Sequence, residues 1–266
     1  GFMREEGDSL MFGAYERPED VELFAVDGVP KEFDGELFPA FFEGHARSWE
    51  QGMQVAPVLG RVGIKSNVRG PMQMTADELP LFGPAPGLDN VWLAEGVVGG
   101  ILWGGGLGYH LSEWIVEGEP SFEMQEMDAR RFGDYANKAW IKLKAIETWG
   151  THADVHYPDM DLPAGRPAKT FPCYDALAAK GAVFGVRNAW EMPNYYRPPG
   201  AAPSPDTFRQ RNSPGGQFIA AEAKAVREGV ALIDMSPMAK FEVQGAGAAA
   251  ALDRIFANRL PKVGGI

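Results

Sequence analysis

The chain has 266 residues, 45% hydrophobic and 23% charged, an ordinary globular composition that excludes disorder as its main character. With 36 acidic and 25 basic side chains its formal net charge is -11, so it lacks the positive field that phosphate backbones need, and nucleic acid is excluded as a partner. One cysteine, Cys173, can build neither an internal disulfide nor a thiolate zinc site, and no run of about 18 apolar residues could span a membrane.

In chain order, Ser9 to Tyr15 follows a Gly-Asp turn and reads as a strand. Asp34 can cap a helix that begins near Leu37, turns Leu37, Phe41, Trp49 and Met53 toward a core, and ends before Pro57. Val62 to Arg69 reads as a strand running into Gly70-Pro71. Leu79 to Gly87 reads as a loop, and Val91 to Ala94 as a short apolar strand. Asp134 to Trp149 reads as a helix closed by Gly150, and Tyr174 to Lys180 as a short helix stopped by Gly181. Ala182 to Val186 reads as a strand, 197 to 216 as an irregular Pro-rich connection, and Gln217 to Arg227 as an Ala-rich helix. Val230 to Ile233 and Lys240 to Val243 read as strands, and Ala248 to Ala257 as a helix. The 33 glycines and 21 prolines predict many turns and close backbone approaches. The chain begins at Gly1 without a basic n-region and stops at Ile266 without a closing element, so it reads as a piece of a longer protein.

Seven glycines lie between Gly96 and Gly108, directly after the strand at 91–94. A strand, a glycine-rich turn and a helix N-terminus can hold an electron-rich group, because the helix presents unpaired N–H donors and a partial positive charge. No glycine in the cluster has partners at both +2 and +5, so the dinucleotide fingerprint G-x-G-x-x-G is not matched. Tight helix–strand packing explains the cluster as well as a ligand does. If the ligand is a flavin, a helix beginning near Gly104 favours its anionic reduced form and so favours substrate oxidation.

Other candidates for chemistry are weaker. His45 and His110 lie on helical stretches without an evident partner. His152 and His156 have metal-ligand spacing, but a proline-rich stretch follows and no third ligand is near, so no metal site is assigned. Cys173 has no base beside it, and the carboxylates of Asp77 and Glu78 read as a solvated face.

Together the motifs match a known family. Gly70-Pro71, Asp77-x-Leu79-Pro80-x-x-Gly83-Pro84, Trp92, Gly96, Gly99-Gly100, Gly104-Gly105-Gly106-x-Gly108 and Leu111-Ser112-x-Trp114-Ile115 resemble the end of the flavin domain in dimethylglycine and sarcosine dehydrogenases. Arg130-Arg131-Phe132 to Ala164-Gly165-Arg166-Pro167 resembles their middle domain. Phe171-Pro172-x-Tyr174-Asp175, Trp190-Glu191-x-Pro193, Tyr195-Tyr196 and Ile233-Asp234-Met235-Ser236-Pro237-Met238 resemble the opening of the folate-binding aminomethyltransferase fold of the glycine-cleavage T-protein.

The resemblance implies a mixed α+β and α/β architecture in three parts. These are the C-terminal part of a D-amino-acid-oxidase-like FAD domain (1–120), a middle domain (121–170) and the N-terminal part of a folate-binding aminomethyltransferase-like domain (171–266). It implies FAD and tetrahydrofolate as cofactors, an N-methylated glycine as substrate, and a flavoprotein or oxygen as electron acceptor. It implies the mitochondrial matrix in a eukaryote or the cytoplasm in a bacterium. Flavin contacts fall on Val98, Gly99, Gly100, Ile101, Leu102 and Trp103, with Arg69, Gly70 and Pro71 beside the ring, and Met238 borders the folate cavity. In relatives the positions of Gly100 and Trp103 often hold His or Lys; neither is charged here, so this turn offers no basic anchor for a substrate carboxylate. The catalytic residues are expected before Gly1 and after Ile266. A non-catalytic regulatory relative and a stand-alone folate aminomethyltransferase are the alternatives.

Overall fold

The computed structural model describes residues 1–25, 27–156, 160–201 and 215–261. The chain divides into two compact units, one built on Gly1–Lys169 and the other beginning at Thr170. Among the described residues the sheets are three antiparallel hairpins, set among helices and turns, so the architecture is mixed α+β.

The first unit opens with the hairpin of β1 (Phe2–Glu6) and β2 (Ser9–Gly13). Glu6 pairs with Ser9, so Gly7 and Asp8 form a two-residue turn, and Gly7 takes the positive φ of 58° that such turns require. The helix α1 spans Ala46–Val55, not the longer stretch from Leu37. Pro39 explains the shortfall, since it lacks an N–H and keeps Phe38 out of helical geometry. Phe38 instead bridges to Arg69, its N–H donating to the Arg69 carbonyl at 2.8 Å. That single bridge is all that forms of the strand expected over Val62 to Arg69.

The expected loop at 79–87 contains a strand, β3 (Leu81–Pro84), paired with β4 (Trp92–Glu95). Gly83 at φ 107° allows it: a Cβ there would stand 2.6 Å from the Trp114 ring, so the strand lies flat on the indole. Helix α2 spans Gly100–Glu117 and ends on Gly118 in the left-handed region. Most of the glycine cluster is therefore helix, and the helix begins at Gly100, a full turn before Gly104. Phe82, Leu107, Trp114 and Met124 form the core, flanked by Trp92, Val97, Leu111 and Met127.

Helix α3 (Lys138–Thr151) starts at Asn137, whose side chain accepts the Trp140 N–H, and not at Asp134. Gly150 lies inside it and closes nothing. A Cβ on Gly150 would stand 2.3 Å from the Pro18 nitrogen, so this glycine serves close packing. Glu147 is buried on the same helix, paired with Lys144 and accepting the Ala164 N–H at 2.7 Å.

One side chain ties these parts together. Arg131 donates its Nε and one terminal nitrogen to the two Asp77 oxygens, both at 2.8 Å. It also reaches the carbonyls of Leu79, Pro80 and Asp128 at 2.8, 3.0 and 3.2 Å. Asp77 in turn accepts the Leu79 N–H at 3.2 Å. Asp77 is thus a clamped structural carboxylate, not part of a solvated face. Glu78, beside it at φ 61°, pairs with His152 at 2.8 Å.

The second unit holds α4 (Tyr174–Ala179), the hairpin β5 (Ala182–Arg187) and β6 (Trp190–Tyr196), α5 (Gly216–Glu228) and α6 (Ala248–Ile255). Its hairpin turns through Asn188 and Ala189, both at positive φ. Pro193 has no N–H to donate, and the register shifts beside it, between Val183 and Phe184. Tyr174 packs on Phe184 and Tyr195 stacks on Phe218, which fixes α4 and α5 against the hairpin. Val230 to Ile233 and Lys240 to Val243 form no ladder among the described residues. Most of the connection read over 197–216 lies outside the described residues, as do Pro158 and Asp159.

Replacing Arg131 by Met leaves the Asp77 carboxylate without its charge partner and takes a donor from three carbonyls, and should lower unfolding free energy by about 3 kcal/mol. Equilibrium urea unfolding checks this. Arg131→Lys should recover less than half of the loss, since an ammonium lacks the two-pronged fork.

Candidate functional site

The residues expected to touch flavin fall in two stretches of the first unit, 69–71 and 98–103. A hydrogen bond joins their surroundings: the Gly96 N–H donates to Gln73 Oε1 at 3.1 Å. Gly96 has φ 68°, and a Cβ there would stand 2.6 Å from the Thr75 methyl group. Only glycine fits that turn. It brings β4 out of the hairpin and aims the chain into α2.

Gly99 precedes the helix and has no side chain to cap it, so the first-turn N–H groups of Gly100, Ile101 and Leu102 carry no side-chain cap. Gly100, Gly104, Leu107, Leu111 and Trp114 follow i, i+4, i+7, i+11, i+14 spacing and form one stripe. Its C-terminal half is core. Its N-terminal half is glycine, and no described atom lies within 4 Å of where a Cβ would stand at Gly100 or Gly104. Gly105, Gly106 and Gly108 are equally open, while Ile101 and Leu102 are exposed and Trp103 is 38% exposed. Each helical glycine costs about 1 kcal/mol relative to alanine, and the described residues show no close approach that returns it. The donors and the open apolar surface suit a planar, electron-rich group such as a flavin ring.

Arg69 is positioned by its neighbours. Its guanidinium lies over Phe38 and Phe41, 5.5 and 5.4 Å from the ring centroids, and it pairs with Glu22. Gly70 and Pro71 follow outside any helix or strand. A separate cavity of about 370 Å³, bordered by Phe12, Tyr15, Arg17, His45 and Arg47, contains none of the expected flavin or folate contacts.

In the second unit Met238 is half exposed, in a loop organised by Asp234. Asp234 Oδ1 accepts both the N–H of Ser236 at 2.8 Å and its hydroxyl at 2.5 Å. These bonds hold the Asp234 carboxyl below the usual carboxylate range, aided by the nearby Lys240 charge and the Cys173 thiol. Lys240 Nζ donates to the Ser236 carbonyl at 3.0 Å. Burial, then the charges of Glu222 and Asp234, push the Tyr196 phenol up. Glu222 also accepts the Tyr196 backbone N–H at 2.6 Å. Asp-x-Ser spacing is the sequence signal for this turn.

The histidines are structural in their contacts. His110 stacks on Phe122 and meets Glu113 at 3.1 Å, and His156 Nε2 meets the Thr151 carbonyl at 3.1 Å. Among the described residues no group of three or more metal-ligating side chains gathers. No helix there is long and apolar enough to cross a membrane.

Comparison with known proteins gives this geometry a context. Residues 117–170 match the FAD dependent oxidoreductase central domain, and residues 173–266 match the GCVT N-terminal domain. The two matches follow one another in this order along the chain. Mouse mitochondrial dimethylglycine dehydrogenase is 36% identical over 268 residues, covering 99% of this chain and 30% of the relative. The formaldehyde-forming 4-methylaminobutanoate oxidase of Paenarthrobacter nicotinovorans is 33% identical over 92% of this chain and 29% of its own length. Human mitochondrial sarcosine dehydrogenase is 31% identical over 96% of this chain and 30% of its own length. The chain is a homologue of the dimethylglycine and sarcosine dehydrogenases, and it spans about 30% of the length of those relatives.

The lowered Asp234 pKa makes a pH prediction. A carboxyl whose folded pKa is depressed contributes stability above its unfolded value, and loses it as pH falls through the folded value. Ser236→Ala should move the Asp234 titration, followed by carboxyl NMR, up toward the ordinary carboxylate range. The acid limb of unfolding should shift to higher pH with it.

Proposed function

We propose that this chain is part of a longer flavoprotein that oxidatively demethylates an N-methylated glycine, dimethylglycine or sarcosine, and passes the one-carbon unit to tetrahydrofolate. The observation that carries this reading is the order of the two family matches, together with similarity to such dehydrogenases along nearly the whole chain. In this reading residues 1–120 complete an FAD domain, 121–170 form the middle domain, and 171–266 open the folate domain.

The residues present fit a flavin at the start of α2. The first-turn N–H groups of α2 bind an electron-rich edge there, and its partial positive charge favours negative charge on that edge. Val98, Gly99 and Gly100 let the ring approach the backbone, while Ile101, Leu102 and Trp103 exclude water from it. Arg69, Gly70 and Pro71 border the ring from the adjoining stretch. FAD, when bound, supplies the two-electron acceptor for the N-methyl carbon, and tetrahydrofolate captures the released carbon. Met238 borders the folate cavity, and the Asp234–Ser236 turn sets the loop that presents it. Fusing the two domains shortens the path of a reactive iminium, which water would otherwise hydrolyse to formaldehyde. A flavoprotein or oxygen would serve as the electron acceptor. The compartment follows the mitochondrial relatives in a eukaryote and is the cytoplasm in a bacterium.

Protein expressed from the complete reading frame should be yellow and should release formaldehyde from dimethylglycine or sarcosine when folate is withheld. A colourless product from a flavin-replete host defeats the reading. Gly100→Val in that protein should lower FAD content several-fold. Its thermal midpoint without flavin should stay within a few degrees of wild type, because no described atom lies within 4 Å of the added Cβ. Full flavin occupancy in this variant would show that the glycine face holds something else.

A further inference from the structure

We propose that the cavity beside the first hairpin and α1 binds a small planar heteroaromatic ligand, uncharged and able to form hydrogen bonds. The cavity holds about 370 Å³, and every residue that lines it belongs to the first unit. It contains none of the expected flavin or folate contacts, so the inference does not rest on the function proposed above. Its aromatic lining is Phe2, Phe12 and Tyr15, and its uncharged polar lining is His45, Ser48 and Gln51.

Helix α1 packs on the hairpin through Trp49, which meets Phe12 edge-on at 5.4 Å. An inward helix face is ordinarily apolar. Here His45 and Ser48, three residues apart at the start of α1, line the cavity instead. His45 Nδ1 is buried and has no partner among the described residues. The Ser48 and Gln51 side chains make no hydrogen bond there either. A buried polar atom costs stability until something satisfies it. Water alone would need about a dozen molecules of roughly 30 Å³ each, set against three aromatic rings. A flat ligand covers the rings and satisfies the polar groups together. The charges of the lining are already matched. Arg17 pairs with Asp154 at 2.7 Å, Arg47 with Glu19 at 3.3 Å, and Glu16 accepts the Trp149 Nε1–H at 2.8 Å. Asp20, the other charged side chain of the lining, is exposed and stays hydrated. A neutral ligand leaves all of these in place.

The test titrates nicotinamide, benzoate and toluene against protein from the complete reading frame, read by saturation-transfer NMR. Nicotinamide, a neutral heteroaromatic amide, should bind with a Kd of about 1 mM or below, as its size permits. Benzoate, similar in size but charged, and toluene, without hydrogen-bonding groups, should each bind at least about 5-fold more weakly. Ser48→Ala and His45→Phe should each weaken nicotinamide about 3- to 10-fold, the range of one neutral hydrogen bond, and leave toluene within about 2-fold. Glu50→Gln, a change to an exposed neighbour outside the lining, should alter neither. Ser48→Ala removes a single oxygen, so it keeps the test decisive if His45→Phe fails to fold. Absence of nicotinamide binding would mean that water or another part of the chain fills the cavity, and overturns the proposal. Benzoate binding as tightly as nicotinamide overturns it in favour of an anion site. Nicotinamide binding that Ser48→Ala leaves unchanged, or that toluene equals, overturns it as well. Binding needs neither flavin nor turnover, so failure here leaves the proposed function standing.

Discussion

The first unit depends on one guanidinium. Arg131 places five hydrogen bonds on Asp77 and on the carbonyls of Leu79, Pro80 and Asp128. An irregular loop carries backbone groups that no ladder satisfies, and if buried these need partners. A planar fork can satisfy several at once and set their relative positions, which a point charge cannot. The loop so fixed leads straight into β3, whose Phe82 and Gly83 meet the core and the Trp114 ring. The hairpin then sets β4, and the Gly96 turn aims α2. The clamp therefore acts on the candidate flavin turn through the order of the chain, without touching it.

Helix α2 shows a conflict between local and tertiary demands. Five of its residues are glycines, the poorest helix formers after proline, and Ile101, Leu102, Ile115 and Val116 on it are exposed. The half of its stripe that meets Leu107, Leu111 and Trp114 has large side chains and is packed. The half that meets no described atom has none. A helix tolerates this arrangement when packing elsewhere holds it, and the core around Trp114 does so. The open half is where a flat ligand can approach the backbone closely.

The second unit is built differently. Its hairpin is stabilised by aromatic stacking on both sides, while the Asp234 loop relies on a carboxylate receiving two donors from one serine. That local turn needs no sheet around it. The apolar stretches on either side of it do need one, which explains why Val230, Leu232 and Phe241 remain exposed among the described residues.

The short apolar strand at 91–94, the helices at 174–180, 217–227 and 248–257, and the strand at 182–186 were legible because local periodicity and glycine stops decide them. So was the glycine cluster as a place of interest. Residue order also carried the resemblance to the dehydrogenases, since motif spacing survives without knowledge of contacts. Other features were decided only in three dimensions. Asp77 became a clamp through Arg131, a residue 54 positions away, and nothing in Asp77-Glu78 itself signals that. The loop at 79–87 became a strand because Gly83 could lie against Trp114. Gly150 looked like a helix end and proved to be a contact with Pro18. Sequence by itself determined which segments could be helix or strand and which family they resemble, because those follow from near neighbours. Tertiary structure decided which glycines are turns, which are contacts and which are open, because that depends on what stands opposite them in space.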